Sequence, residues 1–221
     1  MDSLLVVVAA GGVVALVAFI VFLAKRQAAA RREALEAVAQ QSGWSFAPDR
    51  TGLETLGIGE PFRLLAEGYS HRASNVMRME EQGEQFLIAD HQHTVGSGKH
   101  RHTRMQTIVH IRSPRLSLPP FVLSPENAFH KLGGLLGYHD IDFPESPEFS
   151  SRYLLRSKEA EDQVRMFFHP AVRLFFEQRP PITVEGHNEE LLIYRGSHRV
   201  KPEDLRQWVD DARAIARELH P

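Results

Sequence analysis

Residues 85–112 read QFLIADHQHTVGSGKHRHTRMQTIVHIR, and this stretch decides the fold class. Two runs suited to strands, 85–95 and 101–112, flank Gly96-Ser97-Gly98. Within the second, Gln106-Thr107-Ile108-Val109-His110-Ile111 follows the period of two expected of a half-buried strand. Working outward, 62–81 reads as a hairpin with a turn after Ser70. Residues 116–123 read as an edge strand because Pro119 and Pro120 cannot join a central ladder. A strand is expected over 148–155, and a further hairpin pairs 182–185 with 191–195 around Gly186-His187-Asn188. Helical patterns lie at 127–136, 159–168, 170–178 and 202–219. In the last, Leu205, Trp208, Val209, Ala212, Ile215, Ala216 and Leu219 form one apolar face. Strands do not alternate regularly with helices, so a doubly wound sheet is not expected. The fold class is α+β: an antiparallel β-rich domain with packed helices and a C-terminal helix.

The N-terminus is of another kind. Residues 3–24 carry no charge, and Lys25, Arg26, Arg31 and Arg32 follow. At about 1.5 Å per residue a helix over 3–24 spans roughly 33 Å, enough for a hydrocarbon core about 30 Å thick. The positive charge follows the apolar run instead of preceding it, which favours an uncleaved signal-anchor over a cleaved signal peptide. The positive-inside rule then puts 25–32 in the cytoplasm and the N-terminus outside. The expected location is the bacterial cytoplasmic (inner) membrane, single-pass. The expected division is a transmembrane helix over 3–24, a juxtamembrane helix or linker over 25–42, a β-rich domain over 43–200, and a C-terminal helix over 201–221 packed on it. In the juxtamembrane stretch Leu35, Val38 and Ala39 form a thin apolar stripe, and Gly43 suits the helix C-cap.

Composition excludes several functions. Lys plus Arg number 26 and Asp plus Glu 28 in 221 residues, so no global basic field favours nucleic acid. The absence of cysteine removes disulfides, thiolate catalysis and Cys-based zinc sites. Gly96-Ser97-Gly98-Lys99 does not make a P-loop, because positions 93 and 100 are both His. No Ser lies in a Gly-x-Ser-x-Gly elbow, and Asp140, Asp142, Glu145 and Glu148 sit beside Pro144 and Pro147 in what reads as a rigid acidic connector. No catalytic residue and no cofactor site is assigned.

Chemistry concentrates in the central hairpin, where His91, His93, His100 and His102 form two His-x-His pairs. If 96–99 is a four-residue loop, Val95 faces His100, His93 faces His102, and all four imidazoles share one sheet face. Such a set suits zinc or another transition metal, while a loop of odd length would split it. Clustered histidines also titrate near neutrality, the chemistry of a pH sensor. Lys99, Arg101 and Arg104 make the same tip basic, suited to phosphates of anionic lipid headgroups close to the membrane.

Several blocks together resemble a family of uncharacterised bacterial single-pass membrane proteins. They are Gly96-Ser97-Gly98-Lys99 leading to Thr103 and Gln106-Thr107; Leu118-Pro119-Pro120-Phe121 leading to Pro125-Glu126; residues 137–143 (GYHDIDF) with 147–155 (PEFSSRYLL); Val184-Glu185-Gly186; and Tyr194-Arg195. The resemblance covers about 43–200 and implies a bacterial host, but transfers no catalytic residue. It also implies aromatic residues where this chain has His91 and His93, which weakens the metal reading. The expected function is therefore a membrane-tethered cytoplasmic interaction domain, non-enzymatic, that binds a protein partner or lipid headgroups. The alternative is a metal-binding enzyme or sensor built on the histidine hairpin.

Overall fold

The strand pattern of 84–112 becomes the middle of a mixed fold in the computed structural model, which describes residues 2–58, 62–126, 137–158 and 161–220. Among these residues the strands are β1 (Ser45–Ala47), β2 (Tyr69–Glu81), β3 (Glu84–Val95), β4 (His102–Arg112), β5 (Leu118–Pro125), β6 (His139–Ile141), β7 (Tyr153–Ser157), β8 (Thr183–Asn188) and β9 (Glu190–Tyr194). They form one sheet in the order β1-β2-β3-β4-β9-β8-β5-β7-β6, antiparallel at every pairing. The helices are α1 (Asp2–Ser42), α2 (Arg63–Ala66), α3 (Pro147–Arg152), α4 (Glu161–Phe167), α5 (Pro170–Glu177) and α6 (Leu205–Glu218). The α+β class expected from the sequence is the observed one.

The sheet is covered on both faces, which is why its central strands are apolar on both sides. Phe86, Ile88, Val109, Ile111, Leu191 and Ile193 face a helical layer that includes α6 and the second half of α1. Leu87, Ala89, Ile108, Leu192 and Tyr194 face the segment that carries Leu53, Ile58, Phe62 and Leu64. Successive side chains on a strand point to opposite faces, so this division follows from odd and even numbering. Glu185 fastens the cover to the sheet: its fully buried carboxyl accepts the Tyr194 hydroxyl at 2.6 Å and the Leu64 N–H at 3.2 Å.

Among the described residues one helix, near the N-terminus, is long and apolar enough to cross a membrane. It is also part of the domain. Val13, Phe19 and Phe22 lie more than half exposed outside the core, whereas Leu35 and Ala39 are 1% and 0% exposed within it. α1 thus runs unbroken from its apolar stretch into the core. Gly43, at φ +71°, ends it, and the Trp44 N–H closes back on the Ala39 carbonyl at 2.9 Å.

Several sequence expectations are corrected. Residues 62–81 are not a hairpin but the short α2 followed by the long β2, whose register shifts at 69–72 and 74–77 absorb the apparent turn. β5 is an interior strand between β8 and β7, and Pro119 and Pro120 fall in the register shift between Leu118 and Phe121. The strand expected over 148–155 is instead α3, with Pro147 in its first turn, and then β7. The last hairpin turns at 188–189 rather than 186–188. Gly186 remains in β8 because a Cβ there would lie 2.3 Å from Phe121 Cε1. Within the acidic connector, Asp140 lies on β6. The helix expected over 127–136 lies outside the described residues.

Candidate functional site

Two polar features stand on opposite faces of the β2–β3–β4 region. The first contains His91 and His93. Val95 pairs with His102, not His100, and His93 pairs with Arg104. The connection between β3 and β4 is therefore the six residues 96–101, with a single 3-10 turn at Gly98–His100. Gly96 makes the tight return: its φ is +78° and a Cβ would meet the His100 carbonyl oxygen at 2.3 Å. Six is even, so His102 does share the face of His93, but it lies two positions nearer the tip and is exposed. His100 is exposed in the turn. The structure thus brings together His91 and His93, and leaves His100 and His102 apart.

The third member is His71, from the bulged part of β2. One nitrogen from each of His71, His91 and His93 lies within 4.8 Å of the others. His71 Nδ1 is 3.2 Å from His91 Nε2, and the Gln106 amide nitrogen is 3.4 Å from His91 Nδ1. Gln106 is held in turn by the Ser197 N–H, 3.0 Å from its Oε1. The three rings lie within 14° of parallel with centroids 5.1–5.4 Å apart. His91 and His93 are each 1% exposed. Both ring nitrogens of His93, and Nε2 of His71, are buried with no hydrogen-bond partner.

Electrostatics keeps these rings neutral. Burial, then the neighbouring His93 and His71, pulls the His91 pKa down to about 3. Burial, then His71 and the cations Arg104 and Arg63, pulls His93 to about 4. Burial also lowers His71, against the opposing charge of Glu67. Arg63 and Arg104 both pair with Glu67, so the two guanidiniums next to the cluster share one carboxylate.

Sequence reasoning missed His71 because Ser70-His71 resembles a turn. Ser70 does have a positive φ of 56°, but the chain continues as strand through the bulge. No short-range signal announces a bulge that aims one side chain at a neighbouring strand.

The second feature lies across the sheet, where α1 enters the domain. Arg31 grips Asp90 in bidentate fashion, Nε to Oδ2 at 2.8 Å and Nη2 to Oδ1 at 2.7 Å, and its Nη1 donates to the Val200 carbonyl at 2.9 Å. Asn75 donates to the same carboxylate at 2.9 Å. Beside this lock opens a cleft of about 380 Å³, whose wall includes Lys25, Arg32, Arg50, Met105 and Arg199. Asp90 is the one acid among the lining residues, and Arg31 already engages it.

Of the basic residues singled out in the sequence, Lys99 and Arg101 are exposed at the hairpin tip. Arg104 shares the face of His93 and pairs with Glu67. Two of the four connector acids are paired: Asp140 with Arg156, and Glu145 with Arg173 at 3.2 Å.

Among solved structures, the crystal structure of the mycobacterial trehalose monomycolate transport factor A, TtfA, is similar in fold. The TM-score is 0.59 at 12% sequence identity, over 88% of this chain and 93% of that one. No model of a known protein family matches the chain, and no curated protein does.

Proposed function

We propose that this chain is a non-enzymatic, membrane-tethered domain that engages anionic lipid headgroups in the cleft where α1 enters it. In this reading α1 crosses the bacterial inner membrane once, with the N-terminus outside and the folded domain in the cytoplasm. The cations that follow the apolar stretch support that orientation.

The observation that carries the proposal is the cleft itself. Lys25 directly follows the apolar stretch of α1, so a cavity that it lines together with Arg50 and Arg199 belongs next to the headgroup layer. Cations close to an anionic leaflet are attracted by about 1 kcal/mol each. Because Asp90 is taken by Arg31, the remaining charges have no acid in the cleft to satisfy them. Met105, 39% exposed, adds an apolar contact at the same wall. The fold neighbour is described as a transport factor, which supports a supporting role at a membrane over catalysis.

The test is lipid retention by the full chain. Protein extracted from a mixed membrane and examined by native mass spectrometry should carry phosphatidylglycerol in preference to phosphatidylethanolamine. An Arg50→Glu, Arg199→Glu double variant, altered only at exposed positions, should lose that preference. Equal retention of both lipids by the wild type, or an unchanged preference in the variant, would remove the headgroup reading.

A further inference from the structure

On the opposite face, we propose that His71, His91 and His93 form a binding site for a late first-row transition-metal dication, zinc being the representative case. This goes beyond the lipid cleft, whose border it shares at His91, and is tested separately from it.

The spacing of the three donors suits one shared ion. Two imidazole nitrogens bound to one tetrahedral zinc at about 2.0–2.1 Å lie about 3.4 Å apart. His71 Nδ1 and His91 Nε2 stand 3.2 Å apart. With no metal, that contact needs one ring to carry a proton and the other a lone pair. With a metal, both lone pairs point at the ion, and the proton between them moves to the far nitrogen of its own ring, so each imidazole stays neutral. The Gln106 amide nitrogen donates to Nδ1 of His91, so without a metal His91 carries its proton on Nε2 toward His71; on metal binding that proton shifts to Nδ1 and the Gln106 amide gives way.

His93 supplies the independent observation. It is 1% exposed, yet neither ring nitrogen has a partner. Buried polar atoms are paired as a rule, and one left unpaired is costly. A neutral imidazole placed within 4.8 Å of two others, with both nitrogens unspent, has what a metal ligand needs. The rings lie almost parallel, so loading turns His93 about χ2 to bring one nitrogen onto the shared centre.

Donor chemistry sets the metal. Three neutral nitrogens and no carboxylate in the set favour zinc, cobalt, nickel or copper over magnesium or calcium. Three protein ligands leave a fourth position for water. The half-buried His71 sits on the open side and gives a route in. Glu67 offsets the charge of Arg63 and Arg104 nearby.

The experiment uses the full chain in detergent, purified without a polyhistidine tag, stripped with a chelator and titrated with cobalt(II). The expected result is one equivalent of cobalt, with the visible d–d absorption of a tetrahedral ion, displaced by zinc. His93→Ala and His71→Ala should each abolish that absorption, and the His100→Ala, His102→Ala double variant should keep it. His71 lies at the edge of the core, so its replacement keeps the test valid if His93→Ala fails to fold. Absence of stoichiometric cobalt in the wild type would overturn the proposal. So would loss of the spectrum in the His100/His102 variant, or its survival in folded His71→Ala.

Discussion

Asp90 shows what a single residue can hide. In the sequence it is one more polar position in 85–95, and Arg31 is one of four cations after an apolar run. Folded, they are a bidentate, largely buried pair that joins α1 to β3, an interior strand of the sheet. Nothing local links positions 59 residues apart, so this contact was not legible in the sequence. Removing one member leaves the other charge buried without its counter-ion. Asp90→Ala should therefore destabilise the fold by about 3–5 kcal/mol, measured by chemical denaturation in detergent. Replacing both residues by Leu should recover much of that loss.

Glu190 is a second residue whose surroundings matter more than its type. Its hydrogen bond to His110, then that to Arg112, lowers its pKa to about 2. An unfolded glutamate titrates near 4.3. The folded state therefore binds the proton less readily than the unfolded one. The resulting stabilisation is complete above that unfolded value and is lost as the pH falls toward 2. Thermal melts between pH 5 and pH 2 should show a shallower acid decline for Glu190→Gln than for the wild type.

At the scale of elements, what could be read was set by local periodicity. The apolar face of α6 extends over several turns, and all six of its predicted members within the helix are buried. The strands on either side of the central turn were legible because each is long. What failed depended on a partner elsewhere. Pro119 and Pro120 argue for an edge strand unless a bulge removes the need for their N–H groups, and only the pairing with β8 supplies one. Gly186 reads as a turn residue until Phe121 is known to press against it. The four-histidine site failed in the same way: alternation correctly put His91 and His93 on one face, but loop length and a bulge in β2 determined their neighbour.

The second half of α1 carries the main consequence at this scale. Leu35 is 1% exposed and packs with the residues that cover the sheet. Leu35→Ala should cost about 2–5 kcal/mol through lost burial and the cavity left behind. Denaturation followed by tryptophan fluorescence would read this loss. If 25–42 were only a linker, the same substitution would leave the domain's stability unchanged.

At the scale of the whole molecule, a helix long and apolar enough to cross a membrane was legible because about 20 uncharged apolar residues are needed to cross a bilayer. The union of span and core in one helix was not, since the stripe of Leu35, Val38 and Ala39 is thin. That union brings the cleft of Lys25, Arg50 and Arg199 to the base of the span, and leaves the histidine cluster on the opposite face of the sheet. On the function proposed above, a domain held this way would present its charged cleft to headgroups without a separate targeting step.

The most direct measurement is hydrogen exchange across the full chain in nanodiscs, with phosphatidylcholine alone and with phosphatidylglycerol added. The account predicts slow exchange over 31–42 in both, as for a core helix, and added protection around Arg50 and Arg199 only with the anionic lipid. Rapid exchange over 31–42, or a cleft indifferent to lipid charge, would contradict it.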